Sequence, residues 1–210
     1  MPQTAAPGRV MKRRKAEIIE AAAECFMERG YHATTVDDVA ARLGATKGRV
    51  YHHYATKTDL FFDVHREGMQ RLFDAQEEAK AVEGSARDRL IAMLHAHAVA
   101  MLEHHTFETV VAQGVQVHRF DQVTPDQRQT MQELISSRDE FEALFKTVLS
   151  EGIAEGSVPP VDVSVAVKVM LGGLQWSIFW YRPKTGETPG QRAELASRMV
   201  APLVAGFGPA

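Results

Sequence analysis

The apolar positions near the N-terminus recur at helical spacing. Val36, Val39, Ala40 and Leu43 stand at positions i, i+3, i+4 and i+7, which places them on one face of a short helix. Two threonines precede this face, and either can cap the N-terminus of the helix. The pattern predicts a helix over residues 36–43.

A tight turn follows this helix. Gly44 comes directly after the last apolar position, where glycine best tolerates a left-handed helix end. Thr46 then supplies an N-cap for a second helix that begins at Lys47. Two helices joined by a short turn that contains glycine are typical of a helix-turn-helix, in which the second helix enters the major groove of DNA. The sequence therefore predicts a DNA-binding motif.

The remainder of the chain shows helical periodicity and no convincing strand. Caps, glycines and prolines mark the helix ends, and a loop is predicted at 118–123. We predict an all-α protein of nine helices, at residues 12–29, 36–43, 47 onward, 57–81, 86–104, 106–117, 124–151, 162–181 and 190–206. The predicted organisation is a disordered tail (1–10), a three-helix DNA-binding domain (11–57) and a helical regulatory domain (58–210).

Composition is that of an ordinary soluble protein. The 210 residues are 45% hydrophobic and 24% charged, and no run approaches the roughly 18 apolar residues that a membrane helix needs. We therefore expect a cytoplasmic protein with no membrane partner. The single cysteine, Cys25, cannot form an internal disulfide, which leaves a place in the core or a reactive role.

Charge is divided unequally along the chain, whose net charge is −3. Residues 1–57 carry ten Lys and Arg against six Asp and Glu, whereas residues 58–210 carry fourteen against twenty-one. A basic N-terminal module would be attracted to phosphates while the acidic remainder is repelled. The basic run from Lys12 to Lys15 is either a solvated helix start or an arm that touches phosphate or a minor groove.

The region 12–60 resembles the DNA-binding domain of the TetR/AcrR family of bacterial transcriptional regulators, through the stretch AEIIEAAAECFMERGYHATTVDDVAARLGATKGRVYHHYATKTDLF. The resemblance implies a TetR-like fold and a homodimer that binds a partly palindromic double-stranded DNA operator, usually as a repressor. It also implies release from DNA, and from the nucleoid, when a small molecule binds the C-terminal domain. Such a protein is not an enzyme and needs no cofactor.

The family's DNA contacts can be transferred to matching positions. Lys47, Gly48 and Arg49 lead the recognition helix, where side chains meet base edges, and an arginine can bind guanine through two hydrogen bonds. Phosphate contacts fix the register on DNA without reading its sequence. The positions that match phosphate contacts are Thr35, Thr46, Tyr51, His53 and Lys57.

The helix predicted at 162–181 contains both large aromatic residues and glycines. Trp176 and Trp180 lie one turn apart, and Gly172 and Gly173 come just before them. Two glycines in an apolar helix cost about 1 kcal/mol each relative to alanine, so close helix approach or a cavity is an expected compensation. In a TetR-like arrangement the last two helices pack against their copies in the partner subunit, which leaves dimer packing and a ligand pocket as alternatives.

The segment GGLQWSIFWYRP is similar to segments of TetR-family regulators that respond to acyl-CoA thioesters. Such an effector needs an apolar tunnel for its acyl part and cations for its phosphates. His97 is interpreted as a hydrogen-bonding partner for the polar part of a ligand. The candidate pocket residues are His97, Met101, Phe120, Arg138, Phe141, Trp176, Trp180 and Arg182.

Other classes of function fit the sequence less well. The nine histidines lack the spacing of a metal site, so no metal is predicted. No nucleophile is accompanied by a base at catalytic spacing, which argues against an enzyme. The remaining alternatives are a TetR-like regulator that responds to another hydrophobic molecule and a DNA-binding protein without a ligand.

Overall fold

The computed structural model describes residues 7–114 and 124–205, except for the side chains of 7–10 and Lys12. Every regular element in these two ranges is helical. The elements are α1 (Pro7–Ala33), α2 (Val36–Arg42), α3 (Lys47–Tyr51), α4 (Lys57–Ala79), α5 (Ala86–Glu103), α6 (His105–Gly114), α7 (Pro125–Ala154), α8 (Val163–Gln175), α9 (Ser177–Trp180) and α10 (Pro189–Val204).

The predicted all-α, TetR-like architecture is confirmed, with one difference in how a helix is divided. The helix predicted at 162–181 is interrupted at Trp176, which separates α8 from the single turn of α9. The remaining predicted helices correspond one to one with helices of the structure. The loop predicted at 118–123 lies outside the described residues.

Helix α1 begins earlier than the sequence indicated. It starts at Pro7, a residue whose fixed φ suits the first helical position, so residues 7–10 of the tail predicted to be disordered are helical. Residues 1–6 lie outside the described part of the chain. The regular helix ends where predicted, because Gly30 adopts φ 75° and ψ 166°, a conformation that favours glycine.

The chain divides into two compact units. Unit 1 comprises residues up to Gly68 and 109–134, and unit 2 comprises 69–108 together with the residues from Ile135 onward. The predicted domain boundary at residue 57 differs from this division, because α4 has residues in both units. Two glutamines join the second segment of unit 1 to its first: Gln113 donates to the Phe26 carbonyl at 3.2 Å, and Gln127 donates to Thr56 and Asp59.

Unit 1 has an aromatic core beneath its first helices. The rings of Phe26 and Phe61 meet edge to face with centroids 5.2 Å apart, and Tyr31 packs on Phe61 at 5.0 Å. Thr34 is fully buried and donates to the carbonyls of Cys25 and Gly30, which satisfies its hydroxyl. Burial raises the pKa of the Cys25 thiol, so Cys25 is an unreactive core residue rather than a thiolate nucleophile.

The core of unit 2 forms around α5, which contacts α8, α9 and α10. Its largest fully buried side chains are Leu90, Met93, Leu94, Met101, Leu102, Phe107, Phe145 and Leu149. Capping boxes begin α5 at Ser85 and α10 at Thr188, where side chain and backbone satisfy each other's hydrogen bonds.

One segment differs from the expectation that no part of the chain resembles a membrane helix. Residues Val163–Trp180 have a mean hydropathy of 1.3 and are long and apolar enough to cross a membrane by length and composition alone. Lys168 interrupts the apolar run, so the segment is not apparent from uninterrupted apolar residues. Only 28% of the segment is buried, so much of its apolar surface is exposed on the chain.

Candidate DNA-binding surface and regulatory site

The helix-turn-helix is built from short local interactions. Thr35 caps α2 through a capping box with Asp38, and Gly44 takes φ 62° in the turn, as predicted. The Ala45 amide donates to the Ala40 carbonyl at 2.9 Å and closes the turn. Val50 is fully buried, which fixes the face that α3 turns inward and leaves its other face exposed.

The residues predicted to contact bases lie on the outer part of α3. Lys47 and Gly48 are exposed, and Arg49 is partly exposed. Each of the two cations is paired with a carboxylate, because Lys47 Nζ lies 3.0 Å from Asp37 and Arg49 Nη2 lies 2.7 Å from Glu17. The hydrogen bond with Asp37 raises the pKa of Lys47, so this ammonium stays charged. No sequence signal pointed to the Glu17 contact, since 32 residues separate the pair.

Three residues predicted to contact phosphate are available on the surface. Thr46 is exposed and its side chain makes no capping hydrogen bond, and Tyr51 is exposed beside Lys47. Thr35 is also exposed, although its hydroxyl is engaged with Asp38 at 2.6 Å.

Two others have more buried environments. Lys57 donates to the carbonyls of Tyr31 and His32 and lies over the Tyr31 ring, and burial lowers its pKa. Its ammonium therefore already stabilises the end of α1. Burial also lowers the pKa of His53, and the neighbouring cations Arg49, Lys15 and Arg14 lower it further. These cations place the beginning of α1 and the end of α3 within one positive region.

The predicted pocket residues divide into an interior group and an exposed group. His97, Met101 and Phe141 are buried in unit 2, where the His97 ring lies 5.4 Å from Phe141 and 6.1 Å from Phe145. Arg138, one turn before Phe141 on α7, is half-buried, and burial lowers its pKa. These residues form an aromatic interior with a polar group inside it.

The remaining candidates lie elsewhere. Trp176 and Trp180 are 61% and 47% exposed, because buried Leu174 and Ile178 occupy the inner face of the same segment. Arg182 is also exposed and donates to the Tyr181 carbonyl. Phe120 lies outside the described residues. The structure therefore does not bring Trp176, Trp180 and Arg182 to His97 in one site.

Buried polar groups that the sequence analysis missed accompany His97 in unit 2. Within residues 7–114 and 124–205, no hydrogen-bond partner is found for His97 Nδ1, both amide atoms of Gln76, Glu108 Oε1 or Ser177 Oγ. Burial raises the pKa of the Glu108 carboxyl well above its usual value. Most buried polar atoms in proteins are satisfied, so this set is available to hydrogen-bond a ligand or water. The sequence signal that could have indicated these buried polar groups is a polar residue within an apolar helical stripe, such as Gln76.

A separate groove runs between the end of α4, α5 and α10, with a volume of about 690 Å³. Ile91, Val200 and several alanines line it, and its charged lining residues are Glu78 and Asp88. It contains none of the predicted pocket residues. Its carboxylates are unfavourable for the phosphates of a CoA thioester, so this groove does not match the predicted ligand.

The exposed α3, its cations and the helical second unit define the class of a helix-turn-helix DNA-binding regulator. Residues 18–64 match the family model of bacterial regulatory proteins of the tetR family, and residues 83–206 match that of the tetracyclin repressor-like C-terminal domain. The chain belongs to the TetR family of DNA-binding transcriptional regulators. Members of this family bind operator DNA as dimers.

Three relatives illustrate the range of similarity. The transcriptional repressor KstR2 of Mycobacterium tuberculosis is 31% identical over 172 residues, 81% of this chain and 82% of KstR2. The structure of PfmR, a TetR family regulator from Thermus thermophilus, is 30% identical with a TM-score of 0.74 and covers 90% of this chain and 94% of PfmR. AibR in complex with isovaleryl coenzyme A and operator DNA is 25% identical with a TM-score of 0.72, covering 94% of this chain and 100% of AibR.

The buried His97 predicts a pH-dependent stability. Burial lowers the pKa of His97 to about 4. The fold favours the neutral ring, whereas the unfolded chain binds a proton at the ordinary histidine pKa. The part of the folding stability that depends on the neutral ring is therefore complete above that pKa and is lost as pH falls from about 6.5 towards 4. The loss amounts to about 3 kcal/mol of unfolding free energy at pH 4. Urea unfolding of the wild type and His97→Phe across this range measures it, and a difference between the two proteins that does not change with pH would contradict it.

Proposed function

We propose that this protein is a homodimeric transcriptional repressor that reads a palindromic operator through α3 and releases it when an effector, an acyl-CoA thioester, binds unit 2. The DNA-binding part of this proposal rests on the outer face of α3. Lys47, Gly48 and Arg49 occupy that face, while Val50 holds the opposite face in the core. An exposed short helix with two cations and a glycine has the features of a major-groove reader.

Gly48 supports a close approach of DNA. A Cβ atom built on Gly48 meets nothing within 4 Å, and its φ lies outside the left-handed region. Neither packing nor backbone conformation within the chain therefore requires glycine at this position. A glycine that the folded chain does not need, on a helix that would lie against base edges, is explained by space that the DNA occupies.

Gly48→Ala separates folding from DNA binding. We expect the variant to be as stable as the wild type or up to about 1 kcal/mol more stable, since alanine favours a helix. We expect its affinity for duplex DNA selected by the wild type from a random library to fall about ten-fold or more. Thermal unfolding and fluorescence anisotropy measure the two effects. An unchanged DNA affinity would show that DNA does not approach this face closely.

The exposed apolar stripe on α8 and α9 supports dimerisation. Val165, Val169, Trp176, Phe179 and Trp180 are all between 47% and 61% exposed. A contiguous apolar face of this kind is typical of a protein interface. The two tryptophans are therefore assigned to the subunit interface rather than to the pocket.

The glycines support the same assignment. A Cβ on Gly173 would lie 3.4 Å from Leu203, an ordinary van der Waals distance, so packing of α8 on α10 within one chain does not require glycine at this position. A Cβ on Gly172 meets nothing within 4 Å, which leaves Gly172 for the approach of a partner helix. Neither glycine is therefore required by packing within the chain, and both are free for a close approach of a partner helix. The proposed interface uses the last two long helices, α8 and α10, together with α9.

Val169→Asp tests the interface. A charge in the centre of the stripe must be desolvated on dimerisation, so we expect the variant to elute at the chain mass of 23.3 kDa and the wild type at twice that mass. Ser164→Asp, on the same helix outside the stripe, is the matched control and should remain dimeric. Light scattering coupled to size exclusion gives the masses. A dimeric Val169→Asp variant with unchanged helicity would place the interface elsewhere.

The effector proposal is supported by the interior of unit 2 and by a relative. AibR has been solved with isovaleryl coenzyme A and operator DNA. In this chain, His97 lies among Phe141, Phe145 and Met101, which suits an acyl group with a carbonyl to hydrogen-bond. The half-buried guanidinium of Arg138 on the neighbouring turn of α7 supplies a cation for an anionic ligand. Helix α4, which has residues in both units, would transmit the signal by changing the spacing of the two recognition helices, about 34 Å in a dimer on successive grooves.

Acyl-CoA thioesters from isovaleryl- to palmitoyl-CoA test this effector class. A member that binds should raise the unfolding free energy by about 2.7 kcal/mol at one hundred times its dissociation constant and should release the selected DNA. Coenzyme A alone is the control for the shared nucleotide part. If no thioester changes either the melting temperature or DNA binding, the acyl-CoA proposal is overturned, which leaves another hydrophobic effector or DNA binding without a ligand.

A further inference from the structure

We propose that Glu17 of α1 is a positioning residue for sequence recognition: its carboxylate holds the Arg49 guanidinium towards one base and keeps it from sequence-independent phosphate contacts. The Glu17 Oε2 atom accepts from Arg49 Nη2 at 2.7 Å, and its Oε1 atom accepts from Arg13 Nε at 3.2 Å. The inference rests on the base contact proposed for Arg49. It adds a residue outside the helix-turn-helix to the reading of the operator.

The geometry leaves Arg49 competent to bind a base. Its guanidinium has five N–H donors, and Glu17 engages it through Nη2, so other donors are available for the O6 and N7 atoms of a guanine. The side chain of Arg49 is only 35% exposed, which restricts its alternative positions. An arginine that is ordered before binding loses less side-chain entropy when it meets the base. Glu17 therefore favours one direction of the guanidinium over the many that phosphates would accept.

The charges of the cluster explain why Glu17 restrains non-specific binding. Arg13 and Arg49 lie on either side of a single carboxylate, so the three side chains together carry one positive charge. Without the carboxylate they would carry two, beside Arg14 and beside Lys15, which Asp63 pairs. Sequence-independent affinity for DNA depends on the cations that neutralise phosphates. Loss of the carboxylate should therefore strengthen binding to any sequence while it weakens the preference at one base pair.

A purely structural role predicts a different outcome. If Glu17 only joined α1 to α3, its removal would loosen α3 and weaken specific and non-specific binding together. Exposed ion pairs contribute little to folding, so the fold should survive the loss of this one. If Glu17 positions Arg49, its loss should strengthen non-specific binding and weaken the preference at one base pair. If Glu17 only supports α3, both kinds of binding should weaken.

The chain offers a matched control on the same helix. Glu24 of α1 accepts from Arg42 Nη1 at 2.9 Å, which is also a carboxylate–arginine contact, but Arg42 belongs to α2 and also pairs with Glu28. Glu24→Gln and Glu17→Gln remove the same charge from the same helix. Only the second releases an arginine of the recognition helix.

The experiment uses the full-length wild type, Glu17→Gln, Glu24→Gln, Arg49→Ala and the double variant Glu17→Gln/Arg49→Ala. Each protein selects from a library of random duplexes, about two helical turns long, that is sequenced after binding, and each is titrated with poly(dI-dC) at fixed salt. For Glu17→Gln we expect about a two- to five-fold loss of preference at one base pair in each half-site, the range expected from one exposed ion pair. We also expect tighter binding to poly(dI-dC). Glu24→Gln should keep the wild-type base preference.

The double variant tests whether Glu17 changes the base preference through Arg49. Arg49→Ala should remove the preference at that base pair, and adding Glu17→Gln should then change it no further, because Glu17 acts through Arg49. If Arg49→Ala removes the preference and Glu17→Gln leaves it intact, the role of Glu17 is overturned while the Arg49 base contact stands. If Arg49→Ala leaves every base preference intact, both are overturned. Weaker binding of Glu17→Gln to selected and non-selected DNA alike, with a lower melting temperature, would show a structural role only and also overturn the proposal.

Discussion

The DNA-binding half depends on the burial of one face of a very short helix. Helix α3 has five residues, too few to be stable in water by its own hydrogen bonds. Val50 is buried on its inner face. Tyr54, three residues after α3 ends, is also buried, and its hydroxyl donates to Asp63, whose carboxylate also pairs with Lys15. This contact joins α1, the segment after α3 and α4 through one carboxylate. The position of every side chain on the outer face of α3 follows from this packing.

The second half reverses the usual distribution of polar and apolar groups at two places. Inside unit 2, the described structure leaves polar atoms of His97, Gln76, Glu108 and Ser177 without partners. Outside, α8 and α9 expose valines and tryptophans. Both arrangements cost free energy in an isolated chain, the first by unmet hydrogen bonds and the second by exposed apolar surface. A bound effector and a second subunit would offset these costs, which relates dimerisation and regulation to the same unit.

The sequence predicted the parts of the fold that depend on neighbouring residues. Helical periodicity, a threonine cap before α2 and the glycine turn at Gly44 are local, and the structure reproduces each of them, with Thr35 as the cap. The contacts that were missed join residues distant in the chain, as Glu17 and Arg49 are. Periodicity also could not assign Trp176, because an apolar position at helical spacing can face a core, a ligand or a second subunit. The break at Trp176 and the exposure of its ring appear only in three dimensions.

The most direct test of this account is a crystal structure of the dimer with a duplex selected from random DNA. We expect α3 to lie in the major groove of each half-site, with the Arg49 guanidinium about 3 Å from the O6 or N7 atom of a guanine and Glu17 still in contact with it. The α8 and α9 stripe should be buried between the subunits. A complex in which the outer face of α3 points away from the bases would contradict it.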